Sequence, residues 1–206
     1  MYIIQPPGLA SYRRSRLNSN VRRRINPMSH VVAEFMRFSA PDPDALERGI
    51  ADMRIKLLVA IQSGESIAVV DAAADLGSML TTARKEAEAV EILTEHLAHA
   101  EANEQHEPAG WFWNAYATAL QYEGRRSKAE EYFSKAVGHA KAGGWRRLEA
   151  LVLHHWGRSL VEQSRFDEAK SRIEEALALR VELNEPRQES SRRALVELAA
   201  LQGRVG

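Results

Sequence analysis

Residues 113–133, WNAYATALQYEGRRSKAEEYF, decide the fold. Ala117 sits between the bulky Tyr116 and Leu120, and a turn at Gly124 leads to a second segment carrying Ala129 and Phe133. The same arrangement returns at a step of 40 residues on either side: Gly77, Ala117 and Gly157; Leu80, Leu120 and Leu160; Ala89, Ala129 and Ala169; Leu93, Phe133 and Ile173. Small residues at fixed places let two helices approach closely, while large residues three and four positions away fill the grooves beside them. One such hairpin cannot bury its apolar face alone, so neighbouring copies must stack on it.

The unit resembles the tetratricopeptide repeat (TPR), whose pattern runs W-x2-L-G-x2-Y and then A-x3-F over two antiparallel helices. The middle copy reads Trp113-x2-Tyr116-Ala117-x2-Leu120, then Ala129-x3-Phe133. The third reads Leu153-x2-Trp156-Gly157-x2-Leu160, then Ala169-x3-Ile173, and the first reads Ala73-x2-Leu76-Gly77-x2-Leu80, then Ala89-x3-Leu93. A 40-residue step departs from the usual 34 and is similar to the longer-helix variant of the family. The resemblance implies an all-α superhelix, a solenoid of helical hairpins, with Trp113, Tyr116, Ala117, Ala129 and Phe133 in its core.

Composition narrows the alternatives. The 206 residues are 45% apolar and 27% charged, as expected of an ordinary soluble domain with an arm. No apolar run is long enough to predict a membrane span. The absence of cysteine excludes disulfides and thiolate metal sites, and suits a reducing cytoplasmic location. The zero net charge conceals an asymmetry. Residues 1–33 carry Arg13, Arg14, Arg16, Arg22, Arg23 and Arg24 with no acid, so the remainder carries −6.

Residues 1–28 show no helical or strand period and read as a disordered basic arm, with Met28 as an alternative start. Residues 29–206 read as the repeat domain. Val31–Phe38 is expected to cap an end of the stack. The Pro41-Asp42-Pro43-Asp44 run marks a helix start, opening a half-repeat over 44–62 with Leu46, Ile50, Met53, Leu57, Leu58 and Ile61 on one stripe. Repeats follow at about 67–105, 109–143 and 145–184, with a capping helix over 187–202. His96 stands where the later copies have Ala136 and Ala176, so that hairpin should pack less closely or tilt the histidine ring to its edge. Ser127-x-x-Glu130 reads as a capping box, and Gly143-Gly144 as a left-handed helix stop.

No catalytic motif, phosphate-cradling loop or metalloprotease signature is present. His96, His99 and His106, near Glu95 and Glu101, fall short of a four-ligand structural site and read as ordinary histidines, so no metal and no cofactor is expected. The resemblance places a concave groove on the inner helices. Through the 40-residue register its lining is Asp71, Ala74 and Ser78; Trp111, Asn114, Thr118 and Gln121; Leu151, His154, Arg158 and Val161. Trp111, Asn114, Thr118, Gln121, His154 and Arg158 are the candidate partner contacts, since aromatic, amide and guanidinium groups suit peptide recognition. The family's carboxylate clamp is absent, because its positions read Ala74, Ser78, Ala115, Leu151 and His155. The expected function is therefore non-enzymatic binding of a peptide or helix from another protein. Two alternatives remain open: a nucleic-acid-associated regulator using the arginine arm, and a homo-oligomeric scaffold.

Overall fold

A computed structural model describes residue 32 and residues 34–205. All regular structure among these residues is helical, in the order α1 (Pro43–Ser63), α2 (Ser66–Thr82), α3 (Glu86–Glu95), α4 (Leu97–Ala102), α5 (Glu107–Tyr122), α6 (Arg126–Gly143), α7 (Arg146–Glu162), α8 (Phe166–Glu182) and α9 (Gln188–Val205). The arginine arm lies outside the described residues. No described helix is long and apolar enough to cross a membrane.

Helices α2, α5, α7 and α9 form an inner layer in which each packs on the next, while α1, α3/α4, α6 and α8 form an outer layer and pack on the inner helices. Contact along the inner layer without matching close contact along the outer one makes the inner side concave. The 40-residue signature residues lie at the hairpin interfaces. Trp113, Tyr116, Ala117, Ala129 and Phe133 are all buried. A Cβ on Gly77 would lie 2.5 Å from Leu93 Cδ1, and one on Gly157 would lie 2.5 Å from Ile173 Cγ1. The small residues are therefore needed for that approach.

The turns repeat more finely than the hairpins. Left-handed residues stand at Gly64, Arg84, Gly124, Gly144, Ser164 and Asn184, a spacing of 20 residues broken only at position 104. At five of them the following amide reaches back over the helix end: Lys85 to Leu80 O, Arg125 to Leu120 O, Trp145 to Ala140 O, Arg165 to Leu160 O and Glu185 to Arg180 O, at 2.8–3.0 Å. This bond satisfies a terminal carbonyl and reverses the chain within three or four residues. Asp42 caps α1 as its place before Pro43 requires, accepting the Ala45 amide at 2.9 Å.

Three local expectations need correction, and a fourth, the looser packing at His96, is exceeded. Ser127 is the second residue of α6 and caps nothing: the backbone turn already puts Arg125 at the helix start, and Glu130 instead pairs with Arg165 at 2.6 Å. His96 breaks its helix outright. Its φ of −101° and ψ of 8° separate α3 from α4, and its ring is buried at a site where only alanine methyls fit in the later copies. On α1, Leu58 and Ile61 are exposed, while Ile50, Leu57 and Ala60 are buried. At about 100° per residue, Leu58 sits that far from Leu57 around the helix and leaves the buried stripe. Finally, Val31 and residue 33 lie outside the described residues, and the segment at 34–39 does not simply close an end of the stack. It crosses the inner layer, with Phe35 buried among Leu160, Val161, Leu198 and Leu201.

Candidate functional site

The crossing segment is held by both side chains and backbone. Arg37 donates Nε and Nη2 to the two carboxylate oxygens of Glu162, at 2.7 and 2.8 Å, and its guanidinium lies 4.4 Å from the Tyr122 ring centroid. Burial works against that charge, but the bond and charge of Glu162 prevail and raise the Arg37 pKa. The Phe38 amide donates to the Tyr122 hydroxyl at 2.9 Å. That hydroxyl also accepts from Arg158 Nη2 at 2.9 Å, and Arg158 covers the Phe38 ring at 4.5 Å. The same ring meets His155 edge-on at 5.5 Å.

Beside this segment a concave cleft of about 770 Å³ remains open. Its α2 wall carries Asp71, Ala74, Asp75 and Ser78; its floor carries Trp111, Asn114, Leu151, His154 and His155. Arg180, Arg187, Ser190 and Arg193 close its α8–α9 end. Trp111, Asn114 and His154 thus border one cleft, although Asn114 and His154 are themselves buried in its floor. Trp111 is half-buried, with its indole Nε1 donating to Glu107 Oε1 at 3.1 Å. Thr118, Gln121 and Arg158 do not line this cleft and are buried. Thr118 donates to the Asn114 carbonyl at 2.8 Å, and Arg158 is engaged by the crossing segment.

A polar network fixes the floor. His155 Nδ1 lies 3.1 Å from Asn114 Oδ1 and 3.4 Å from Thr118 Oγ1. His154 Nδ1 lies 3.2 Å from Ser191 Oγ, which accepts from Arg180 Nη1 at 2.8 Å. Both histidine pKa values are pushed well below the ordinary one, first by burial and then by guanidiniums, chiefly Arg180 for His154 and Arg158 for His155. They stay neutral at pH 7. Burial, then Arg187, brings Arg180 down to about 10. Among the described residues no group of three or more histidine, aspartate or glutamate side chains converges on a common metal position. His99 instead meets Ser66 Oγ at 3.0 Å.

The site includes residues that sequence reasoning passed over: Arg37, Phe38, Arg180, Arg187 and Arg193. Arg180 left a readable sign, because its counterparts 40 and 80 residues earlier are the buried Ala140 and Ala100. An arginine in a buried alanine register is an exception that asks for a reason.

Solved structures that share this architecture include the following three. BtubC (BKLC) from P. vanneervenii superposes with a TM-score of 0.62 over 75% of the chain at 20% identity. A Podosopora anserina chain described as a kinesin light chain with nearly identical TPR-like repeats matches over 86% of both chains, with a TM-score of 0.60 at 15% identity. A point variant of that chain matches at 0.61 and 14% over 86% of this chain and 85% of that one. The fold is a TPR-like solenoid. At such identities the likeness is one of fold, and the chain covers only 65% of BtubC, just under two thirds. No protein-family model matches the sequence, and no curated protein matches it. The crossing segment and the basic end therefore have to be read from this TPR-like chain itself.

Proposed function

We propose that the protein is a non-enzymatic interaction module that takes an extended peptide of another protein into its concave cleft. The observation that carries this reading is the way the inner helices already hold residues 35–38. The Phe38 amide and an aromatic ring are bound by Tyr122, His155 and Arg158, much as a foreign peptide would be. The adjoining cleft continues that surface with Trp111 as a flat apolar anchor and with polar groups on rigid helices. Ser78→Arg with Leu151→Arg would project long side chains into the cleft. Loss of partner capture from native lysate, with the thermal midpoint unchanged, is the expected result; undiminished capture would remove the cleft from consideration.

A second, compatible reading is self-association through α1. Ile55, Leu58 and Val59 are 62%, 58% and 59% exposed on the side opposite the buried stripe, so the helix is apolar on two faces. Head-to-tail stacking is disfavoured. Val196 of α9 falls, at a step of 39, on the register of Gly157, where even a methyl would meet the outer helix. Pairing α1 with α1 of a second copy, antiparallel, satisfies both faces and sets the exposed Arg48 of each near Glu65 of the other. Sedimentation should show a dimer that Leu58→Glu with Val59→Glu converts to a folded monomer. A wild-type monomer at every accessible concentration would end this reading.

A further inference from the structure

The α8–α9 end of the cleft holds more positive charge than the fold neutralises. Arg180 is 3% exposed, and its Nη1 donates to Arg187 O at 3.1 Å, Ser190 Oγ at 3.0 Å and Ser191 Oγ at 2.8 Å. All three acceptors are neutral. Its Nε and Nη2 make no hydrogen bond among the described residues, and Arg187 and Arg193 line the same end from the surface. Of the acids close by, Glu182 is engaged by Arg146 at 2.7 Å, Glu185 by Arg147 at 2.8 Å and Glu189 by Arg192, while Glu197 shares a neighbouring cavity with Arg193 and not with Arg180. The arm cannot make up the difference, because residues 1–33 contain no aspartate or glutamate. The neighbouring His154 and His155 add donors but no negative charge. Glu185, shared with Arg147, offsets burial and Arg187 at Arg180 only in part, and a buried cation so under-compensated gains when an anion arrives, above all with guanidinium geometry.

We propose that this end of the cleft is an anion subsite, which seats a carboxylate or phosphate group of the bound peptide on Arg180 between Arg187 and Arg193. The inference deepens the peptide-binding reading and rests on it. The site draws on the outer helix α8 and the last helix α9, not on the inner-helix positions 74, 78, 115, 151 and 155 that a carboxylate clamp would need. The opposite wall, with Asp71 and Asp75, has the other sign. The ligand is therefore oriented: its acidic group points to the third hairpin and its neutral or basic part to the first.

Selection of a random heptapeptide library against the full chain tests the proposal. Recovered peptides should be rich in aspartate or glutamate, and replacing that acid by its amide should weaken binding about tenfold or more. The same replacement with phosphoserine should restore binding, showing that either group is accepted. Arg187→Ala with Arg193→Ala, both on exposed positions, should abolish the preference for acid. Recovered peptides without acidic bias, or an acid-to-amide change without effect, overturn the subsite and leave the peptide groove standing. If no peptide is recovered, the groove reading fails, and titration with inorganic phosphate decides the subsite alone. A rise in thermal midpoint that the double variant loses supports it; no rise overturns it.

Discussion

Arg37 and Glu162 form the contact on which the crossing segment most depends. Their side chains are 8% and 0% exposed, and the pairing is two-pronged at 2.7 and 2.8 Å. Removing one member of such a pair while everything else stays in place costs about 3–5 kcal/mol, mostly because the other charge is left buried. Here a cheaper response exists. The segment can lift away and let water reach Glu162, at the cost of exposing Phe35, whose burial is worth about 1.5–3 kcal/mol. The smaller cost governs. Arg37→Met should therefore lower stability by about 1.5–3 kcal/mol and release the segment, without unfolding the hairpins.

Hydrogen exchange separates that outcome from general weakening. Amides of residues 34–38 should exchange faster in Arg37→Met, whereas those of α5 and α7 keep their protection. Urea denaturation of Arg37→Met, Glu162→Leu and the double variant completes the cycle. Since the double variant leaves no unpaired buried charge, it should be more stable than the sum of the two losses implies, by at least about 1.5 kcal/mol. Additivity within about 0.5 kcal/mol would refute the reasoning, because the two groups would then be independent.

Three other outcomes follow from named contacts. His154 and His155 have folded-state pKa values below their unfolded value of 6.5, so as pH falls below that value the unfolded state takes up more protons. Stability is full above about pH 6.5 and should decline toward pH 5, by up to about 1.4 kcal/mol per histidine per pH unit; a flat urea midpoint between pH 7 and 5 would contradict this. Gly157→Ala should destabilise more than Gly77→Ala in urea denaturation. Its Cβ meets the β-branched Ile173 and, at 3.1 Å, the Ala169 backbone oxygen, whereas Gly77 faces only the movable Leu93 side chain. Overpacking of about 1–3 kcal/mol then outweighs the roughly 1 kcal/mol gained by replacing a helical glycine, at Gly157 but barely at Gly77. Ser164→Gly, in a left-handed turn at φ 59°, should stabilise by up to about 1 kcal/mol by relieving backbone strain, measurable as a higher urea midpoint.

The hairpins were legible because their determinants are local and repeated. Gly77, Ala117 and Gly157 sit where the outer helix comes close, and Gly124 and Gly144 mark left-handed turns, so residue type and register report the same geometry. The 20-residue rhythm was harder to see, since Arg84 and Ser164 fill left-handed positions where glycine is the usual residue, and only Asn184 is a common substitute there. Helix α1 misled for another reason. It is apolar on two sides, so a helical period identifies a helix without saying which stripe is inward. His96 was recognisable as an oversized residue, but whether its ring tilts to the edge or the helix breaks around it depends on the packing of its neighbours.

The crossing segment was not legible, because Arg37 and Glu162 are 125 residues apart and neither belongs to a motif. Its position over the inner helices changes how the candidate contacts divide. Inner-helix position alone does not make a residue available to a ligand: Thr118 and Arg158 have the register of groove residues, yet their polar atoms are already engaged at Asn114 O and Tyr122 Oη. Asn114, His154 and His155 border the cleft but are tied to one another or to Ser191, so they shape its floor more than they offer free donors. What remains uncommitted at the two ends of the cleft is the apolar face of Trp111, the acid Asp71, the surface guanidiniums of Arg187 and Arg193, and the Nε and Nη2 of Arg180, whose Nη1 alone is engaged. Discrimination between peptides should therefore come from those groups, because binding there satisfies charge and apolar surface without first breaking an internal bond.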